Sequence, residues 1–145
     1  MPYFLRYNTA SQEVPLGYFV DSSDGNTEET GLSIANTAIK LHKAGATSLA
    51  NKNSGGATHM ANGIYYVVLD ATDTNTKGPM VIFVHVSGAL AVRLECFVLD
   101  PVVYDSMIGS DLLQADVQQI SGSAVSTSTA QLGVNTVNIG GSAAA

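Results

Sequence analysis

The sequence predicts an all-β protein: an antiparallel β-sandwich over residues 1–100, followed by an extended C-terminal arm over residues 101–145. Three observations carry that reading. Residues 78–99 hold two apolar runs, rich in β-branched residues, on either side of Ser87-Gly88. This is the form of a two-stranded hairpin, because Gly in a two-residue loop supplies the positive φ such turns require. Short apolar runs also recur before residue 78, separated by turn signals such as Gly55-Gly56 and Asn62-Gly63. No helical period of useful length occurs before residue 100, and many short strands between turns build a sandwich rather than a bundle.

The hairpin is the element around which the rest is expected to pack. In its second arm Leu90, Val92, Leu94, Cys96 and Val98 alternate with Ala89, Ala91, Arg93, Glu95 and Phe97. A period of two sends the two sets to opposite faces of a sheet. In the first arm Met80, Ile82, Val84 and Val86 share one face, and Val81, Phe83 and His85 share the other. Both of these faces are largely apolar. The first arm is therefore expected to be a central strand covered on both sides, with Phe83 in the core.

In chain order, a short strand is expected at Tyr3–Tyr7 and a second at Leu16–Val20, after Pro15. Asp21 to Thr30 is a polar turn with four acids. A helix-loop-helix calcium site needs Gly at its sixth position and a bidentate Glu at its twelfth. Counted from Asp21 those positions are Asn26 and Leu32, so the spacing fails and the turn reads as a connector. Leu32–Ala35 and Ala38–Lys43 give two more short strands; in the second, Ile39 and Leu41 face away from Lys40 and His42. Residues 44–58 are small and polar and read as a loop. Asn62-Gly63, just before Ile64 to Leu69, is the strongest short hairpin signal in the chain. Asp70 to Gly78 is a polar connector into the central hairpin.

Composition narrows the function classes. A chain of 145 residues makes one compact domain with room for an appendage. Hydrophobic residues reach 46%, enough for a core, while charged residues are only 12%, about half the usual share. Acids outnumber bases 12 to 6. That balance argues against a nucleic-acid partner, whose phosphates need Lys and Arg, and against an anionic membrane surface. The single cysteine, Cys96, falls on the apolar face of a strand and reads as a buried structural thiol, with no disulfide framework. The N-terminus lacks the apolar run of a signal peptide, and no stretch approaches a membrane span. Synthesis and folding in a cytoplasm are expected.

Catalytic signals are sparse. His42, His59 and His85 fall on different strands or loops, with no pair at zinc-site spacing. No serine sits in a nucleophile elbow, and no glycine run follows a strand and opens a helix to cradle phosphate. Arg93 and Glu95, two residues apart on one face, read as a surface pair. Neither enzymatic activity nor a cofactor is expected.

After Pro101 the character changes. All six basic residues lie at or before Arg93, whereas residues 101–145 hold three Asp and no Lys or Arg. Val102 to Leu113 reads as a short helix or an irregular arm. Beyond it Asp116 to Ser123 is echoed by Asn135 to Ser142 at a spacing of 19. Segments this small and polar cannot order alone. Two such units are too few for a repeat fold; they are expected to order by laying apolar teeth (Val117, Ile120, Leu132, Val134, Val137 and Ile139) against neighbouring copies of the chain, the other reading being a disordered tail.

Residues Phe19 to Leu32, the Ile39-Lys40-Leu41 strand, Gly63 to Tyr66, and Leu69 to Gly78 together resemble a recurrent module of tailed-bacteriophage structural proteins. The continuation Val103 to Val117 is similar to the joint that follows that module, which in larger relatives leads into a fibre-like part. The resemblance spans nearly the whole chain and supplies no catalytic residues. It implies an immunoglobulin-like sandwich carried on a virion and made in the host bacterial cytoplasm. The expected function is a non-enzymatic structural one, as a capsid decoration (cement) or head-fibre protein. The expected partners are other copies, as a homotrimer, and the major capsid protein or another virion protein. A tail-tip or tail-fibre attachment subunit is the alternative placement. A host-glycan-binding module using Tyr3, Tyr7, Tyr18, Tyr65 and Tyr104 is the alternative from another class.

Overall fold

Eight strands in two sheets close on one core. The computed structural model describes residues 2–109, together with residues 119–120, 123–124, 138–139 and 142–143. The strands of the body are β1 (Tyr3–Arg6), β2 (Gln12–Leu16), β3 (Ile39–His42), β4 (Ala50–Asn51), β5 (Thr58–Ala61), β6 (Ile64–Leu69), β7 (Gly78–Val84) and β8 (Val92–Leu99). One sheet has the order β1-β8-β7-β3-β4 and the other β2-β6-β5. All neighbours are antiparallel except β1, which runs parallel to β8 with Tyr3 opposite Cys96 and Arg6 opposite Leu99. The described residues are thus mostly β, with one short α-helix.

Period-two alternation positions the core. Leu5, Ile39, Leu41, Met80, Ile82, Val84, Cys96 and Val98 from the larger sheet meet Val14, Leu16, Tyr65, Val67 and Leu69 from the smaller one, and all are buried. Phe19 joins them from the β2–β3 connection, its ring edge-on to Tyr65 at 5.1 Å. The Tyr65 hydroxyl reaches through the core edge, donating to the Glu29 carbonyl and accepting from the Leu32 amide. A buried phenol satisfied on both sides ties the acidic segment to the smaller sheet.

The turn chemistry at Asn62-Gly63 follows the sequence. Ala61 pairs with Ile64 across a two-residue loop with φ of 53° and 75°, the doubly positive form that matches strand twist. The expected two-residue loop at Ser87-Gly88 is corrected. The β7–β8 ladder ends at Val84–Val92, and residues 85–91 form a longer connection. Ser87 and Gly88 are still the centre of a turn, closed by Ala89 N–H donating to the Val86 carbonyl. The ladder stops because the tip pairs elsewhere: Ser22 N–H donates to Gly88 O and Leu90 N–H donates to Val20 O.

Three further expectations are corrected. Phe83 is 37% exposed, because the outer face of β7 has no layer over it among the described residues. The second strand runs over Gln12–Leu16 rather than Leu16–Val20, since it is Gln12 to Leu16 that finds β6 as a partner. Leu32–Ala35 contributes one bridge, Ile34 to Ala57, and leads into a 3-10 turn at Asn36–Ala38 rather than a strand.

The helix α1 (Pro101–Met107) follows β8 directly. Asp100 caps it by accepting from Val102 N–H, and Pro101 occupies its first turn, where a missing N–H costs nothing. The chain divides into two compact units, Met1–Leu113 and Gln114–Ala145. In the second, β9 (Gln119–Ile120) pairs antiparallel with β10 (Ser123–Ala124), and β11 (Asn138–Ile139) pairs antiparallel with β12 (Ser142–Ala143). Every position of the first ladder has its counterpart 19 positions later in the second, with Ile, Ser and Ala kept and Gln119 matched by Asn138. The sequence echo is therefore an echo of backbone structure.

Candidate functional site

The residues that could carry catalysis are kept apart by the fold. His42 Nε2 lies 3.0 Å from the Ala46 carbonyl, at the edge of the larger sheet. His59 sits on the smaller sheet, accepts from Gly63 N–H and packs edge-on to Tyr65. His85 is exposed beyond the end of β7. Cys96 is buried, and burial pushes its thiol up to about 12, which leaves it a packing residue.

Two of the four carboxylates of the acidic turn, Asp21 and Asp24, are spent within it. Asp21 Oδ1 accepts from the amide and hydroxyl of Ser23. Asp24 accepts from the Thr27 hydroxyl and from the amides of Thr27 and Asn26. Those donors, the Thr27 hydroxyl first, hold the Asp24 carboxyl down at about 2. Among the described residues no group of three His, Cys, Asp or Glu converges as metal ligands would.

A polar knot lies where the sequence offered only a loop and a connector. Lys52 and Asp73 are both buried, with Nζ 3.9 Å from Oδ2. The Lys52 ammonium donates to the Ser54 carbonyl, while Asp73 accepts from the amides of Asn53 and Asp70. Asp70 receives the Asn53 side chain and the amides of Thr72 and Asp73. Partial burial raises the Asp70 carboxyl, but these donors and the Lys52 charge outweigh it, and the net shift is downward. A cleft of about 450 Å³ opens beside the knot, lined by Ser11, Lys52, Gly55, Thr58, Tyr66 and Asp70 among others. Among the described residues no buried side-chain nitrogen or oxygen is left without a partner, and the knot pins the β6–β7 connection onto the segment after β4.

A surface that mixes exposed aromatic rings with charges lies on the outer side of the larger sheet. Its outward residues fall in rows set by register: Phe4 beside Phe97 beside Pro79, Glu95 beside Val81 beside His42, and Arg93 beside Phe83 beside Lys40. Phe83 and Phe97 are each 37% exposed, and Tyr3 at the sheet edge is 41% exposed. An apolar groove of about 300 Å³ continues from this edge between β1 and α1, lined by Pro2, Tyr3, Phe4, Tyr104 and Ile108. The outward side chains of α1, Val102, Val103 and Met107, are also exposed. The sequence did carry a signal for this face. In β8 the same alternation that buries Cys96 and Val98 places Phe97 with Arg93 and Glu95, and two charges mark the solvent side.

Of the tyrosines considered for glycan binding, Tyr3 and Tyr104 share that groove. Tyr65 is in the core, Tyr7 lies under the Lys77 ammonium at 4.9 Å, and Tyr18 stands exposed by itself. Of the six apolar teeth expected in the arm, Ile120 and Ile139 occupy equivalent positions in the two ladders. Val117, Leu132, Val134 and Val137 lie outside the described residues. Comparison of the chain with protein-family models, with curated proteins and with solved structures returned no match.

Proposed function

We propose that the chain is a non-enzymatic structural protein of a bacteriophage virion, with an immunoglobulin-like sandwich as its body and residues 101–145 as its assembly arm. The strand order supports the immunoglobulin-like reading of the body. A three-stranded sheet β2-β6-β5 opposite a sheet containing β3-β7-β8 matches the B-E-D and C-F-G arrangement of that architecture. The observation that carries the functional reading is the repeated ladder of the arm. Two hairpin steps 19 residues apart, in a stretch without Lys or Arg, suit an element that gains burial by lying against copies of itself. The body brings exposed apolar surface and a self-satisfied polar knot, which fits attachment better than turnover.

The placement that fits best is the outside of the capsid, as a cement or head-fibre protein, a homotrimer bound to the major capsid protein or another virion protein. Attachment at the tail tip or to a tail fibre is the alternative placement. Deletion of residues 114–145 cuts at the boundary between the two compact units. The truncated protein is expected to keep its fold, to lose its oligomeric state and to fail to sediment with particles. Equal oligomeric state and equal attachment for the two forms would overturn the assembly reading. A host-glycan module is the second reading, resting on the groove shared by Tyr3 and Tyr104. Retention of a defined glycan on an array by the full-length protein, lost on Tyr104→Ala, would favour it.

A further inference from the structure

The outer face of the larger sheet carries a charge arrangement that complements its own image. Arg93 and Glu95 sit two residues apart on β8, side by side on this face, each well exposed and paired to the other. Phe83 lies beside Arg93 and Val81 beside Glu95 on the neighbouring strand β7. Lys40 completes the row on β3. Arg6 on the same side of β1 is spent on Asp105, which leaves Arg93, Lys40 and Glu95 as the charges this face presents, in a chain whose total is −6. Copies of such a chain repel one another over acidic surface. On this face both signs stand side by side in Arg93 and Glu95, and exposed aromatic rings offer apolar area to bury.

We propose that this face is a two-fold contact between two copies of the chain, in which Arg93 of each copy pairs with Glu95 of the other. An axis lying between two facing sheets, and crossing β8 midway between these residues, reverses the strand direction of the second copy. It then sets each Arg93 against the partner's Glu95, and each Phe83 against the partner's Val81. An isologous patch of this kind joins two copies and no more. It therefore lies outside any three-fold contact and links copies in neighbouring assemblies, which takes it beyond the arm. A face five strands wide, at about 4.8 Å per strand, is small beside a standard interface. The contact thus forms where copies are already held at high local concentration.

Charge exchange tests the geometry. The full-length protein, Arg93→Glu, Glu95→Arg and an equal mixture of the two variants are compared by sedimentation equilibrium up to millimolar concentration. Wild type is expected to show an association step beyond its arm-driven state. Each variant alone sets like charges together and is expected to weaken that step by about tenfold or more. The mixture restores opposite charges at both positions and is expected to recover it. The three preparations should melt together, since neither residue touches the core. A wild type without the step, variants that associate as wild type does, or a mixture no better than its components would each overturn the proposal. Failure of the arm reading is detected separately, by the truncated protein.

Discussion

The Arg6 guanidinium holds both carboxylate oxygens of Asp105, Nε to Oδ1 and Nη2 to Oδ2, at 2.9 Å each. Its third nitrogen, Nη1, donates to the Thr9 hydroxyl. A planar fork on a carboxylate fixes direction as well as distance. It joins the first strand of the body to the helix at its end, across 99 positions of sequence. Asp105→Ala is expected to release α1 from β1 while leaving the body intact. Hydrogen exchange at the amides of residues 104–108 should accelerate severalfold, with little change in the melting midpoint. Unchanged protection there would mean that the groove contacts alone hold the helix.

The two faces of β7 should respond to different extents to the same kind of truncation. Ile82→Ala opens a cavity in a fully buried site and is expected to cost about 2 to 5 kcal/mol. Phe83→Ala removes a ring from an open face and is expected to cost less than about 1.5 kcal/mol. Denaturant midpoints of the two variants check the assignment of faces directly.

Gly63 is constrained twice. Its φ is 75°, and a β-carbon there would stand 2.6 Å from the Phe19 carbonyl oxygen, a backbone atom that cannot step aside. Gly63→Ala is expected to cost more than about 2 kcal/mol. Gly88 has a φ of 90° but open space around it, so Gly88→Ala should cost about 1 to 2 kcal/mol. Chemical denaturation that ranked the two equally would remove the clash as the deciding factor.

Removing the charge partner of Asp73 should be costly. Lys52→Met leaves a buried carboxylate without its cation, and breaking such a pair costs about 3 to 5 kcal/mol. Thermal melts of the variant and wild type measure the loss.

The Asp24 carboxyl titrates lower in the folded chain than in the unfolded one. On acidification the unfolded chain takes up its proton first, so stability falls. The contribution is complete above about pH 4, where a free Asp titrates, and is lost as pH drops through about 2. Asp105, held down by Arg6, adds a change of the same sign. Asp24→Asn keeps an oxygen for the backbone donors and should flatten this part of the melting-temperature profile. EDTA should leave the midpoint unchanged at every pH, because no metal then contributes through mass action.

The alternation of Met80, Ile82 and Val84, and of Cys96 and Val98, made the two long strands and their inward faces legible from sequence. Asn62-Gly63 did the same for its turn, because that dipeptide can do little else between two strands. Local pattern could not tell that nothing covers Phe83 among the described residues, since an apolar outward residue looks the same with or without a layer above it. Nor could it reveal that Val20 to Ser22 would take the hairpin tip, a pairing across almost 70 positions. Lys52, in a run of small polar residues, gave no sign of burial; its partner Asp73 lies 21 positions away in another connector. The outer-face site was half legible: Arg93 and Glu95 were read as a surface pair, but the apolar rows on either side depend on register between strands.

The parallel pairing of β1 with β8 has a mechanical consequence. The chain enters β1 at Tyr3 and leaves β8 at Leu99, and because the strands run the same way these points lie at opposite ends of one ladder. Tension between the segment before Tyr3 and the segment after Leu99 therefore pulls along the strands in opposite directions. The backbone bonds joining Tyr3–Arg6 to Cys96–Leu99 are loaded together, in shear, and must fail as a group. A hairpin pulled from its open end would instead unzip one bond at a time. Anything fastened through the arm and tugged from the other end draws its force across this short ladder before the rest of the body is loaded.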